Sequence, residues 1–126
     1  MINGTKGRFF MNSLTTRYCI LFLCIFMIAA GQILFKLSAN SLKGSDSFLK
    51  LIFEPVFISA IILYGITTLG WVWCLQEVPL SRAYLFMSFV FVLVPAMGYL
   101  FFGEPLNLKF ILSACLIICG IICSFL

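Results

Sequence analysis

Two polar side chains stand within the first apolar stretch of the chain. Gln32 and Lys36 are four residues apart, so on a helix they lie one turn apart on the same face. A charged or amide side chain in hydrocarbon costs roughly 2.5–3.5 kcal/mol, so both should face protein or water rather than lipid. An amide beside a cation suits an anionic, hydroxylated ligand such as a lipid phosphate or a sugar. Alternatively, Lys36 extends to the lipid headgroups and only anchors its helix.

Three more residues at the membrane edges have types suited to a phosphate or an amine. Glu104 ends the third apolar stretch on the same side as Lys36, so the two could pair or together hold a zwitterionic headgroup; otherwise it is an ordinary loop residue. Arg82 lies on the other side near Glu77, and its planar guanidinium can donate two hydrogen bonds to one phosphate. Tyr84 follows just inside the membrane, and both Arg82 and Tyr84 could instead anchor the helix at the headgroups. The predicted substrate-binding residues are Gln32, Lys36, Arg82, Tyr84 and Glu104.

A proline lies in the middle of the third apolar stretch. Pro95 removes one helical hydrogen bond and kinks the helix, and Gly98 follows it. In transporters such a break often lies near the moving part or the substrate path, although membrane helices also carry prolines without that role. We therefore predict that Pro95 and Gly98 form a conformational hinge.

Several kinds of chemistry are excluded by residue type. The chain has no histidine, which removes a histidine base, a histidine metal ligand and a Ser/His/Asp triad. Its six cysteines form no CxxC pair and all lie within apolar runs, so they are interpreted as helix-packing residues rather than zinc ligands or disulfides. Eight Lys/Arg spread along the chain are too few for a nucleic-acid surface. No nucleophile–base set and no phosphate-cradling glycine loop is found, so we predict neither an enzyme nor a bound cofactor or metal.

The elements that position these residues are membrane-spanning helices. The chain of 126 residues is 63% hydrophobic and 10% charged, whereas a soluble domain is nearer one quarter charged. Apolar runs cover residues 18–37, 56–75, 83–102 and 108–126, each close to the roughly 20 residues that cross a bilayer as a helix. The connections are short, which makes successive helices antiparallel. The predicted fold is an all-α membrane protein of four helices, up-down-up-down.

Residues 1–17 form a basic N-terminal leader before the first run, and Met1 or Met11 could be the start. Basic residues do not decide the orientation, because four lie on each side of the predicted membrane. Weak bias permits dual topology, with two copies inserted in opposite senses, or an orientation set by a partner subunit. A single topology decided by the insertion machinery is the other alternative.

Longer motifs resemble a known group of transporters. The runs AAGQILFKLSA, WVWCLQEVPLSRAYLFMSFVFVLVP and GEPLNLKFILSACLIICGI look like the drug/metabolite transporter superfamily. Within it, the chain resembles the four-helix small multidrug resistance fold. It is also similar to the paired subunits of the flippase that moves 4-amino-4-deoxy-L-arabinose on undecaprenyl phosphate across the bacterial inner membrane. The likeness covers about residues 20–125.

One departure separates the two branches of that resemblance. Small multidrug exporters carry a membrane-embedded glutamate in the first helix, and in the register set by Gly31 and Lys36 this position is Ile28. The resemblance therefore implies a multi-pass inner-membrane carrier of a polyprenyl phosphate-linked sugar or related lipid. Four helices enclose little space, so we expect a homodimer, possibly antiparallel, or a heterodimer with a related four-helix subunit. The alternatives are an exporter that uses Glu104 or Glu77, and an accessory subunit of a membrane glycosyltransferase.

Overall fold

The computed structural model describes residues 2–45 and 47–126, and within those ranges every regular element is helical. Five α-helices and one 3-10 helix follow one another: α1 Ile2–Ser41, the 3-10 helix Phe48–Phe53, α2 Pro55–Leu75, α3 Leu80–Met87, α4 Val90–Phe102 and α5 Leu108–Phe125. They supply four membrane spans: Met11–Ser41, Pro55–Leu75, Leu80–Phe102 and Leu108–Phe125. The prediction of an all-α protein with four spans is confirmed. Met1, one of the two candidate start residues, lies outside the described residues.

Helix α1 is much longer than the first apolar run. It starts at Ile2 instead of residue 18, so the backbone of the predicted leader is helical and continuous with the first span. It also continues past Leu37 to Ser41. Hydropathy marks where a helix leaves lipid, not where it stops, and no proline interrupts residues 2–41. The threonine hydroxyls of Thr15 and Thr16 bond back to carbonyls one turn earlier, which keeps these polar side chains compatible with the helix.

The third span is two helices rather than one. Residues Ser88 and Phe89 form a turn between α3 and α4, whereas the sequence predicts a continuous helix over 83–102. The Ser88 hydroxyl bonds to the Tyr84 carbonyl at 3.1 Å, a back-bond that bends helices. Pro95 lies within α4, which stays helical through it. The interruption therefore precedes the predicted hinge by about two turns.

Helix α1 forms the centre of the packing. It packs chiefly against α2 and next against α4. Small residues allow the close approach: Ala29 and Ala60 are fully buried, and Gly31 is buried beneath an aromatic ring of α2. Helix α5 packs loosely on the rest, and Ile121 is its one buried side chain.

Candidate functional site

Lys36 and Glu104 lie together at one membrane edge. The Lys36 Nζ atom is 2.9 Å from Glu104 Oε1, which joins α1 to the connection after α4. Both side chains are about half exposed, at 47% and 48%. They line a cavity of about 420 Å³ between α1 and α4, which also contains Gln32 and Pro95. Three of the five residues predicted to bind substrate thus share one cavity, at the side of the membrane expected from the sequence.

Two glycines bring Glu104 to this position. Gly103 has φ 64° and ends α4 in the left-handed conformation, with its N–H donated to the Tyr99 carbonyl at 3.0 Å. The chain therefore turns back on α4, and Glu104 Oε2 lies 3.0 Å from the place that a Cβ on Gly98 would occupy. Any larger residue at Gly98 would press on the carboxylate. Sequence reasoning linked Gly98 to a hinge, and the geometry gives it a further part in making room for Glu104.

Gln32 lies deeper, where it bonds to an aromatic hydroxyl of α2. The Gln32 amide donates to Tyr64 Oη at 2.6 Å, and that hydroxyl lies 3.5 Å from the Ile28 carbonyl. The Tyr64 ring rests on Gly31, because a Cβ there would overlap it. Tyr64 was not among the predicted site residues. The sequence does give one indication of its role. The Tyr64 hydroxyl lies near the middle of a span, far from the lipid headgroups on either side, and at that depth it needs a hydrogen-bond partner from the protein.

A second cavity, of about 440 Å³, continues from Gln32 toward the other side of the membrane. Its walls are largely aromatic and apolar, with Tyr64, Trp71, Tyr84 and Phe91 among them. The Trp71 and Tyr84 rings meet edge to face with centroids 6.1 Å apart. Gln32 lines both cavities, so it lies at their junction.

Ile28 faces this second cavity and is almost completely buried. Ile28 is the position at which small multidrug exporters would carry a glutamate, by the resemblance set out above. None of the residues that line the cavity is acidic. A cavity of this kind offers no carboxylate to a drug cation or a proton.

Arg82 lies apart from these cavities. It is exposed at the start of α3 and lines a separate cavity of about 570 Å³ with Tyr18, Ser81 and Ser124. Of the five predicted residues, Lys36 and Glu104 share the first cavity with Gln32, and Tyr84 shares the second cavity with Gln32. Arg82 lines neither of these two cavities.

Arg17 takes the partner that the sequence suggested for Arg82. Its guanidinium is 3.1 Å from Glu77 Oε1, donates to the Trp73 carbonyl and lies 4.2 Å from the centre of the Trp73 ring. Arg17 is only 8% exposed, so this charge is buried and compensated by several contacts. From the sequence it was placed only in the basic leader, residues 1–17, and no partner was named for it. The antiparallel arrangement of the first two spans was predicted, but the sequence did not show that Arg17 contacts residues 73–77 of α2 and the turn after it.

The chain has relatives among known proteins. No family model matches the chain, and no solved structure matches it. It is 33% identical over 106 residues to a protein of Sodalis glossinidius named "Probable 4-amino-4-deoxy-L-arabinose-phosphoundecaprenol flippase subunit ArnE", a match that covers 84% of this chain and 94% of that protein. The chain belongs to the ArnE family.

Further members of the ArnE family agree. The ArnE protein of Hamiltonella defensa is 35% identical over 105 residues, covering 83% of this chain and 92% of that protein. The ArnE protein of Yersinia pseudotuberculosis is 43% identical over 63 residues, half of this chain and 55% of that protein. The resemblance drawn from the motifs is confirmed. As an ArnE family member with four spans, the chain is a multi-pass protein of the bacterial inner membrane, as predicted.

Proposed function

We propose that the chain is one subunit of a non-enzymatic carrier that moves a sugar linked to undecaprenyl phosphate across the inner membrane. The names of its relatives describe flippase subunits for a lipid that carries 4-amino-4-deoxy-L-arabinose. The headgroup of such a lipid contains a phosphate, ring hydroxyls and an amine. The polyprenyl tail stays in hydrocarbon throughout, so the protein needs to shelter only the headgroup.

The observation that carries the proposal is the series of polar groups that runs inward from the Lys36–Glu104 pair to Gln32. This pair matches a headgroup of mixed charge, since Lys36 can bind the phosphate and Glu104 the amine. An ion pair that is half exposed contributes only about 0–1 kcal/mol, so exchanging it for the charges of a ligand costs little. Gln32 and Tyr64 lie next along the path, where an amide and a hydroxyl suit the sugar hydroxyls.

The proposal includes a second subunit. The two cavities lie at the surface of α1, where a neighbouring subunit could close them, and α5 contacts its own subunit only sparsely. We propose a heterodimer with a related four-helix subunit, in keeping with the word subunit in the names of the relatives. A homodimer is the alternative, and the subunit composition of the complex purified from the native membrane, determined by mass spectrometry, distinguishes the two.

Drug export by proton exchange is not favoured, because Ile28 and the other residues that line the second cavity, of about 440 Å³, include no carboxylate. Glu104 remains available for a different exporter mechanism. The Lys36–Glu104 pair fits a zwitterionic ligand better than a drug cation, since a cation bound by Glu104 would leave Lys36 without an anionic partner, whereas a zwitterion supplies one.

The test uses vesicles that contain the chain, its partner subunit and the aminosugar lipid. An amine-reactive reagent that cannot cross the membrane labels only lipid in the outer leaflet, so translocation appears as labelling beyond that share. Lys36→Gln should slow translocation by about tenfold or more, the effect of losing one charge-assisted hydrogen bond. Lys109→Gln is the matched control, because Lys109 is exposed on the same side and lines none of the cavities described above. Equal labelling with and without protein would refute the proposed function.

A further inference from the structure

The connection between α1 and α2 lies at the membrane surface. The first span ends at Ser41 and the second begins at Pro55, so residues 42–45 and 47–54 lie where the chain leaves the bilayer and returns to it. Within this connection, the 3-10 helix Phe48–Phe53 has the sequence FLKLIF. No residue of this helix is buried by the rest of the protein.

The 3-10 helix exposes four large apolar side chains. Phe48 and Phe53 are 79% and 82% exposed, and Leu49 and Ile52 are 68% and 55% exposed. In water, a group of such side chains is unfavourable, whereas at the boundary between headgroups and acyl chains it is buried in lipid. Lys50 sits among them, as expected of a basic residue that reaches headgroup phosphates from an interfacial helix.

Beside this helix is a cavity of about 630 Å³ with an unusual set of polar groups. Lys43 and Lys50 are among the residues that line it, and no ion pair joins either of them to another described residue. Glu54 uses Oε1 to accept a hydrogen bond from the Ser41 hydroxyl. Its Oε2 atom and the Ser45 hydroxyl are buried and have no hydrogen-bond partner among the described residues.

Buried polar atoms without partners are costly, which marks this cavity as one whose polar groups complement a ligand. Two ammonium groups bind a phosphate, whereas a free carboxylate oxygen accepts hydrogen bonds from a primary amine. The Ser45 hydroxyl can bond to either group. The cavity therefore fits a molecule that carries a phosphate and a primary amine a few atoms apart.

We infer that the α1–α2 connection is a second, surface site for lipid headgroups with a phosphate and a primary amine, held at headgroup depth by the apolar residues of the 3-10 helix. Two lipids have this chemistry: phosphatidylethanolamine of the bulk membrane, and an aminosugar phosphate lipid. The site is separate from the Lys36–Glu104 cavity, although both lie on the same side of the membrane. It does not depend on the proposed transport function.

The first experiment measures which lipids remain bound. The full chain with its partner is placed in nanodiscs of phosphatidylethanolamine and phosphatidylglycerol in equal amounts, and the retained lipids are counted by native mass spectrometry. The wild type should retain phosphatidylethanolamine in preference. Glu54→Gln keeps the shape of the side chain but removes its charge, and should reduce that preference by about tenfold while phosphatidylglycerol still binds.

Joint replacement of Lys43 and Lys50 by Gln should weaken retention of both lipids, whereas Lys109→Gln should change neither. Circular dichroism establishes that each variant is folded. If Glu54→Gln and the wild type retain the two lipids in the same ratio, the inference is overturned. The same holds if the double lysine variant binds as the Lys109 control does.

Two further arms complete the test. Titration with the aminosugar phosphate lipid identifies the occupant: displacement of phosphatidylethanolamine indicates the aminosugar lipid, and retention indicates the bulk lipid. Ile52→Trp reports the depth of the 3-10 helix, since a tryptophan in the interface has blue-shifted fluorescence that brominated acyl chains quench. Fluorescence typical of water would refute the interfacial position. The vesicle assay for translocation is independent of these results, so failure of the surface site leaves the proposed transport function standing.

Discussion

Replacing Gly31 by alanine tests the contact that positions Gln32. The added methyl would overlap the Tyr64 ring, so the ring must move or the two helices must separate. Either movement disturbs the 2.6 Å hydrogen bond from Gln32 to the Tyr64 hydroxyl. The substitution should destabilise the fold and also displace a group that we assign to the substrate path.

Three effects set the size of the loss. Overpacking costs about 1–3 kcal/mol, and the lost hydrogen bond about 0.5–1.5 kcal/mol. Alanine in a helix interior recovers about 0.5–1 kcal/mol relative to glycine. The expected decrease in the free energy of unfolding of Gly31→Ala is therefore about 0.5–4 kcal/mol.

The assay is reversible unfolding of the purified protein in mixed micelles, followed by circular dichroism as the denaturing detergent is increased. Gly65→Ala is the matched control, because Gly65 is also in a helix interior but has nothing within 4 Å of an added Cβ. The control should be as stable as the wild type or slightly more stable. If Gly31→Ala unfolds at the same detergent fraction as Gly65→Ala, the Tyr64 ring does not rest on Gly31 and the geometry of the Gln32 site is wrong.

Two other substitutions separate stability from transport. Gly98→Ala should leave the free energy of unfolding within about 1 kcal/mol of the wild type. Alanine stabilises the helix relative to glycine, and this gain offsets the small stabilisation lost when the half-exposed Lys36–Glu104 pair is disturbed. The substitution should nevertheless slow translocation in the vesicle assay, since the methyl would press on Glu104; unchanged transport would count against this contact. Arg17→Lys should cost about 1–3 kcal/mol in the micelle titration, because an ammonium cannot replace the forked contacts of the guanidinium. Arg82→Lys, at an exposed position, should stay within about 0.5 kcal/mol, and equal losses in both variants would contradict the assigned role of Arg17.

The number of spans could be predicted from the sequence because lipid imposes a simple rule. An apolar stretch in hydrocarbon must form a helix to satisfy its own backbone, so composition alone gave four spans. The ends of α1 did not follow from that rule. Residues beyond the membrane are free to continue the helix, and neither Arg17 nor Ser38 marks a break in the backbone.

The pairing of Lys36 with Glu104 could also be predicted in part from the sequence. Lys36 and Glu104 were both expected near one side of the membrane, and charges of opposite sign at the same depth can pair. The contact of Tyr64 with Gln32 and the room that Gly98 leaves for Glu104 were not predicted, because both depend on how closely particular segments approach one another. The break at Ser88 likewise involves a hydrogen bond from the Ser88 hydroxyl to the Tyr84 carbonyl, and hydropathy carries no information about such a bond.

The unbroken backbone of α1 has a practical consequence for imaging this molecule. Particle alignment in electron microscopy needs mass outside the detergent belt, and a chain of 126 residues that is mostly membrane-embedded provides little. Helix α1 spans 40 residues, or about 60 Å at 1.5 Å per residue, roughly twice the hydrocarbon thickness. A helical fusion partner joined in phase before residue 2 would share one continuous axis with the first span. Its orientation would then be fixed relative to the Lys36–Glu104 cavity, and the fusion would serve as a rigid fiducial.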